Sequence, residues 1–275
     1  MTVVSDDIAT LEREAKEVRR DSLKLIHAAG SGHPGGSLSG ADILTALYFG
    51  GIMKYDSKNP KDPTRDRFVL SKGHVTGLLY TVLARAGYFP KEDLVSYRKI
   101  NSARNLSGHP HPKTPGVEIA TGSLGQGLSV AHGIALSAKL DGLDFKVYTL
   151  LGDGELQEGQ IWEAAMSAQK FKTNNLVAIV DFNKVAQDNI TKDLKDLEPL
   201  EDKWASFGWE VIRIDGHNMG EVMEALSRPL DESRPRVIIA DTIKGKGVSF
   251  MEGKTAWHGV APGDEDLERA LKELE

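Results

Sequence analysis

"KVYTLLGDGELQEGQIWEAAMSAQKFKTNNLVAIVDFN" occupies residues 146–183. One apolar run stops at Gly152-Asp153-Gly154, a helical stretch follows, and a second apolar run stops at Asn183. Near-continuous apolar strands suit a parallel sheet covered by helices on both faces, where neither side of a strand meets water. The alternation extends both ways from this unit. It predicts a helix at 124–140, strand 145–151, helix 158–171, strand 176–182, helix 199–207, strand 209–214, helix 218–228 and strand 236–241. Strands alternating with helices imply right-handed crossovers, hence an α/β fold: a doubly wound, mostly parallel sheet flanked by helices.

Upstream the pattern is more helical. Ile8, Leu11, Ala15, Val18, Leu23 and Ile26 fall at helical spacing within 7–29, and Gly30 stops the run. Further helices are predicted at 41–49, 77–86 and 91–98, with a strand at 67–71 leading through Lys72-Gly73-His74 into the helix at 77–86. Residues 101–123, "NSARNLSGHPHPKTPGVEIATGS", form one long loop, and a loop of that length in a compact domain is more often functional than decorative. A final helix is predicted at 264–274. With no repeat, low-complexity tract or linker, residues 1–275 read as a single domain.

Composition narrows the class. The chain has 275 residues, 40% hydrophobic and 27% charged, far from the disordered range. A net charge of -6 gives no reason to expect nucleic acid or an anionic membrane as partner. The absence of cysteine excludes disulfides, zinc–thiolate sites and thiol catalysis. The polar N-terminus lacks the apolar core of a signal peptide, and no apolar stretch is long enough to span a bilayer, so a cytoplasmic location is expected.

Ligands of open parallel sheets sit outside the carboxyl ends of the strands. Asp153 and Asn183 both occupy such ends, one strand–helix–strand unit apart. If those strands are neighbours, a carboxylate and an amide oxygen lie side by side, a hard donor set suited to Mg2+ or Ca2+. Mg2+ fills its remaining positions with water and phosphate oxygens, and Gly152 and Gly154 let the backbone approach such a phosphate. The stretch therefore points to a Mg2+-bound diphosphate. Taken singly, Asp153 could be only a helix cap and Asn183 only a turn residue; the pairing carries the weight.

Four of the eight histidines adjoin glycine in loops: His33, His74, His109 and His258. A lone loop histidine is usually surface, but a set of four can donate to sugar hydroxyls and phosphates and relay protons near neutrality. No HxxxH or HxH spacing occurs among them, which argues against a histidine-ligated metal. His27, His111, His132 and His217 read as structural or solvated. "TGSLGQG" (121–127) follows a proline loop instead of a strand, so a dinucleotide-binding reading is poor.

Taken together, SGHPGG (31–36), DRFVLSKGH (66–74), SGHP (107–110), TPGVEIATGSLGQG (114–127), LGDGELQEGQIWEA (151–164), DFN (181–183), IKGKG (243–247) and WHG (257–259) resemble the N-terminal, thiamine-diphosphate-binding region of transketolases. The likeness covers nearly the whole chain and is closest to the separate N-terminal subunit of split transketolases. It implies the thiamine-diphosphate-binding fold and a pentose phosphate pathway transferase that moves a two-carbon ketol unit between sugar phosphates. It also implies roles by position. Asp153, Asn183 and the Val185 carbonyl would hold Mg2+, which Ca2+ or Mn2+ could replace. Gly154, His74, Lys244 and His258 would contact the diphosphate, and Gly122, Ser123 and Leu124 would line the thiazolium and aminopyrimidine. His33, His109 and His258 would meet the sugar and assist proton transfers, and Glu158 would be an interface carboxylate. After Asn183 this chain has "KVAQDN" where many relatives have an aliphatic stretch ending in Asp-Gly, which places Gln187 near the cofactor.

The family's second region, which carries the glutamate that activates the aminopyrimidine, does not follow WHG. The polar terminal helix APGDEDLERALKELE reads as a natural ending, so the resemblance implies a two-fold symmetric heterotetramer formed with a C-terminal partner subunit. The alternatives are a 1-deoxyxylulose-5-phosphate synthase-like subunit, which shares GDG and a related histidine set, and a cofactor-binding subunit without turnover of its own. A 2-oxoacid dehydrogenase α subunit, lacking the SGHPG and WHG pairing, ranks third.

Overall fold

A computed structural model describes residues 5–275, so the first four residues of the polar N-terminal stretch lie outside it. The chain opens on α1 (Ile8–Ala29), α2 (Pro34–Ser39) and α3 (Ala41–Phe49). Asp7 caps α1 by accepting from the Thr10 amide at 2.9 Å, and Gly30 ends it at φ 61°. Then follow β1 (Arg67–Leu70), α4 (Thr76–Arg85), a 3-10 turn at Lys91–Ser96 and the long loop. The second half runs α5 (Gln126–Asp141), β2 (Val147–Gly152), α6 (Gly159–Lys170), β3 (Leu176–Phe182), α7 (Thr191–Leu194), α8 (Leu200–Ser206), β4 (Glu210–Asp215), α9 (Met219–Ser227), β5 (Arg236–Asp241) and α10 (Asp264–Glu273).

The five strands form one sheet in the order β1-β2-β3-β5-β4, and every pairing is parallel. Alternate residues feed two cores, as the two-residue strand period requires. Phe68, Leu70, Tyr148, Leu150, Val177, Ile179 and Ile238 pack under α1, α3, α4 and α9. Val69, Val147, Leu151, Ala178, Val180, Val237 and Ile239 pack under α5, α6 and α8. The doubly wound α/β reading therefore holds, with β2, β3 and most of β1 and β5 buried on both faces and edge strand β4 only partly covered.

Two short helices escaped the sequence reading. Helix α7 is a single turn, and α2 contains Gly35-Gly36, poor helix formers that conceal it. The predicted helix at 91–98 is instead a 3-10 turn of six residues.

Candidate active site

Strands β2 and β3 are neighbours in the register Gly152↔Asp181, so Asp153 and Asn183 leave adjacent strands at the same edge of the sheet. Both are buried. They open onto a cavity of about 340 Å³ that Val185, Lys244, His33, His74 and His258 also line. The turn after Asn183 closes on itself: Val185 bridges Ile190, and the Ala186 amide donates to the Asn189 carbonyl at 2.9 Å. "KVAQDN" thereby becomes a tight finger that carries Gln187, exposed, along the cavity wall.

The imidazoles converge. Ring centroids lie 5.0 Å apart for His33 and His74, 5.3 Å for His33 and His258, and 5.2 Å for His74 and His258. Burial lowers His33 to about 4, with Arg98 adding to the effect, and lowers His258 to about 3, with Lys244 adding. Burial, then Lys72, pushes His74 in the same direction. All three are therefore neutral at pH 7. The Lys244 ammonium donates to the carbonyls of Val185 and Ala186, both at 2.9 Å, and to His258 Nδ1 at 2.8 Å. His258 consequently carries its proton on Nε2. His33 Nδ1 is buried without a partner among the described residues.

Charge in the cavity wall is balanced by residues that the sequence alone does not single out, Lys72 and Glu155 lining the cavity and Asp181 lying behind Lys72. Lys72 reaches across from the end of β1 to Asp181 Oδ2 at 2.5 Å, and both are nearly inaccessible. Ser39 donates to the same oxygen at 2.5 Å, and Thr242 donates to Oδ1. Burial pushes Asp181 up, but Lys72 and these hydroxyls outweigh it and hold the acid below the usual carboxylate range. Burial, and then the Asp181 charge, raise Asp153 to about 6, while burial, and then the Lys72 charge, lower Lys244 to about 8. Burial drives both shifts, and a cation beside Asp153 or an anion beside Lys244 would oppose them. Glu155, also overlooked, is buried and accepts from the Gly125 and Gly152 amides, each at 3.0 Å, and from Ser71. It ties the ends of β1 and β2 to the start of α5. An acid inside an apolar strand, as in LVAIVDF, was the available signal for such a network.

These donors fit Mg2+ and a diphosphate. The carboxylate, amide oxygen and carbonyl are hard ligands. Among the described residues no group of three or more His, Cys, Asp or Glu side chains could hold a metal, so an ion here would rest on Asp153, the Asn183 amide oxygen and the Val185 carbonyl, completed by water or ligand oxygens. In this structure the donors are occupied by the chain itself: Asp153 accepts from the Gly154 amide at 2.7 Å and from the Lys184 amide, and Asn183 Oδ1 accepts from the Val185 amide at 3.2 Å.

Of the remaining expected residues, Gly122 and Leu124 line the cavity. Gly122 sits at φ 133°, and a Cβ there would collide with the His109 ring. His109, Ser123 and Glu158 are exposed and do not line the cavity. His132, expected to be structural, bonds Ser167 and Thr173 at 3.0 Å each.

Comparison with known proteins gives the chain its family. Residues 11–274 match the family described as transketolase, thiamine diphosphate binding domain. The 6-deoxy-6-sulfo-D-fructose transketolase subunit SqwG of Clostridium sp. strain MSTE9 is 45% identical over 99% of this chain and 98% of its own length. An apulose-4-phosphate transketolase subunit of Phocaeicola vulgatus is 42% identical over 97% of this chain and 94% of its own length. Human transketolase is 41% identical, but the match covers 97% of this chain and only 42% of the human protein. The crystal structure of Campylobacter jejuni transketolase superposes with a TM-score of 0.89 at 35% identity, covering 96% of this chain and 43% of that one. The chain thus belongs to the family of thiamine-diphosphate-binding transketolase domains; it has the length of the separate subunits and spans less than half of the single-chain enzymes.

Proposed function

We propose that this chain is the diphosphate-binding subunit of a two-subunit transketolase that transfers a two-carbon ketol unit between sugar phosphates. The observation that carries the reading is the convergence of Asp153, Asn183, Val185, Lys244 and three neutral histidines on one cavity at the carboxyl edge of a parallel sheet. Subunits of matching length that are named transketolases support it.

Asp153, Asn183 and the Val185 carbonyl would hold Mg2+, with Ca2+ or Mn2+ as substitutes, while Lys244, His74, Gly154 and His258 would face the diphosphate. Gly122, Ser123, Leu124 and Gln187 would border the rings. Bound thiamine diphosphate supplies the electron sink that lets a carbon–carbon bond beside a carbonyl be cut and remade. The chain's own part is positional and protic. Lys244 holds the His258 tautomer so that Nε2 is a donor, and His33 offers an unpaired ring nitrogen. With His109, whose ring packs on Gly122, these groups would donate to sugar hydroxyls and take up protons where an alkoxide forms. Glu158, exposed at the start of α6, would meet the partner.

Calorimetry on the chain reconstituted with a C-terminal transketolase subunit tests the assignment. Asp153→Ala and Asn183→Ala should each abolish Mg2+-dependent binding of thiamine diphosphate, since each removes a hard ligand from a near-octahedral site. Wild-type affinity in both variants would refute it. Two relatives are named for 6-deoxy-6-sulfo-D-fructose and apulose-4-phosphate, so turnover should be assayed with those sugars as well as with xylulose 5-phosphate and ribose 5-phosphate.

A further inference from the structure

His217, in the loop between β4 and α9, sits between two fixed groups. Its Nδ1 lies 2.7 Å from Asp42 Oδ2 on α3, and the Ile243 amide lies 2.8 Å from its Nε2. A backbone N–H can only donate, so Nε2 is the acceptor and Nδ1 carries the proton to Asp42. Asp42 is itself anchored: Arg19 of α1 grips both carboxylate oxygens and donates from Nε to the Leu38 carbonyl at 3.1 Å. Burial opposes the charge on Asp42, but Arg19 and His217 outweigh it and hold the carboxyl below its usual range. A chain of directed bonds therefore runs from α1 through α3 to the backbone immediately before Lys244.

The neighbouring amides are tied elsewhere, Thr242 to the Phe182 carbonyl at 3.1 Å and Gly245 to the Gly35 carbonyl at 3.0 Å, while the Ile243 amide is held by His217. Ile243 is 39% exposed between buried Thr242 and Lys244, so its amide bond to His217 adds a directed restraint where side-chain packing is thinnest. The approach is close enough to require glycine at 216, where a Cβ would stand 2.5 Å from Thr242 Cγ2 and 3.0 Å from Ala240 Cβ. The Gly216 amide also donates to the Asp241 carbonyl at 2.8 Å. Beyond Ile243, Lys244 turns inward to His258 and the Val185 and Ala186 carbonyls.

We propose that His217 is a positioning residue for the cofactor site: it accepts from Ile243 and thereby sets the backbone from which Lys244 reaches the diphosphate and His258. The inference rests on the reading that Lys244 faces a diphosphate. Two substitutions separate the two ring nitrogens. His217→Asn keeps an N–H for Asp42 but offers nothing to Ile243; His217→Gln places an oxygen where Nε2 was. Amide hydrogen exchange of the full chain without cofactor should show segment 242–247 opening about five- to tenfold more in H217N, the scale of one lost hydrogen bond, and much less in H217Q. In the reconstituted complex, the dissociation constant for thiamine diphosphate with Mg2+ should rise by a similar factor in H217N, with H217Q keeping most of the affinity. A purely structural histidine predicts something else: similar losses of thermal stability in both variants, with no exchange change confined to 242–247. Unchanged exchange in H217N overturns the proposal, and faster exchange with unchanged affinity overturns its link to the cofactor. If the wild type binds no thiamine diphosphate, the functional reading fails, and the exchange data still decide whether His217 holds the segment.

Discussion

Three imidazoles held neutral within about 5 Å of one another have a consequence for stability. In the unfolded chain each takes a proton near its ordinary value of 6.5, whereas in the fold His33 waits until about 4 and His258 until about 3. At these positions the unfolded state binds more protons below about pH 6.5, so their contribution falls as pH falls until the native histidines protonate. Asp153 opposes this in part, since at about 6 it takes up a proton in the native state first. Denaturant unfolding of the cofactor-free chain should therefore weaken steadily from about pH 6.5 to 5, and His33→Asn/His258→Asn should flatten that slope. Equal slopes would show that the two imidazoles titrate normally.

The Lys72–Asp181 pair also belongs to this scale. Removing one member of a buried pair strands the other, so Lys72→Met should cost about 3–5 kcal/mol, less whatever Ser39 and Thr242 recover. Urea midpoints with unchanged slope would measure it, and a loss under about 1 kcal/mol would mean that water reaches Asp181. Asp153 and Asn183 were legible in the sequence because strand ends flanked by glycine announce themselves locally. Lys72, Glu155 and His217 were not. Lys72 meets Asp181 across 109 positions and His217 meets Asp42 across 175, and no local pattern records such partners.

At the scale of elements, the five strands were legible because apolar runs of that length had only one place to go. Helix α2 was not, because its glycines serve packing instead of propensity. A Cβ on Gly35 would come within 2.9 Å of Lys244 Cγ and the Trp257 carbonyl, and one on Gly36 within 2.9 Å of Val75 Cγ1. Helix α5 allows the two effects to be weighed in one element. At Gly133 a Cβ meets nothing within 4 Å, so Gly133→Ala should stabilise by about 0.5–1 kcal/mol through helix propensity alone. At Gly127 the added carbon would lie 2.6 Å from Ser71 Cα, on backbone that cannot yield without moving the end of β1. There the same substitution should destabilise by about 1–3 kcal/mol, steric cost exceeding propensity. Thermal melts of the two variants should move in opposite directions; shifts of the same sign would show that the β1 end gives way easily.

At the scale of the whole molecule, the cavity is lined by segments far apart in the chain, from His33 to His258. Lys72, Lys244 and the three imidazoles line it together with exposed Gln187, while Ser123, next to lining residue Gly122, and His109, packed on it, are exposed. Leu194, at 43% exposure, lines the same cavity, and Ile190 at 41% and Val260 at 58% lie close by in sequence to the finger and to His258. Apolar side chains left in water around a polar site usually mark an interface. The residue that would activate the aminopyrimidine belongs, by family resemblance, to the second region of transketolases, and relatives of this length are named as subunits. A two-fold symmetric pair of heterodimers would bring that region to each cavity. With thiamine diphosphate, Mg2+ and sugar phosphates, this chain should show no measurable ketol transfer by itself. Activity should appear on titration with a C-terminal transketolase subunit, saturating at one partner per chain. Turnover by the purified chain, with copurifying protein excluded by mass spectrometry, would mean that the acid–base half of the site lies within these 275 residues.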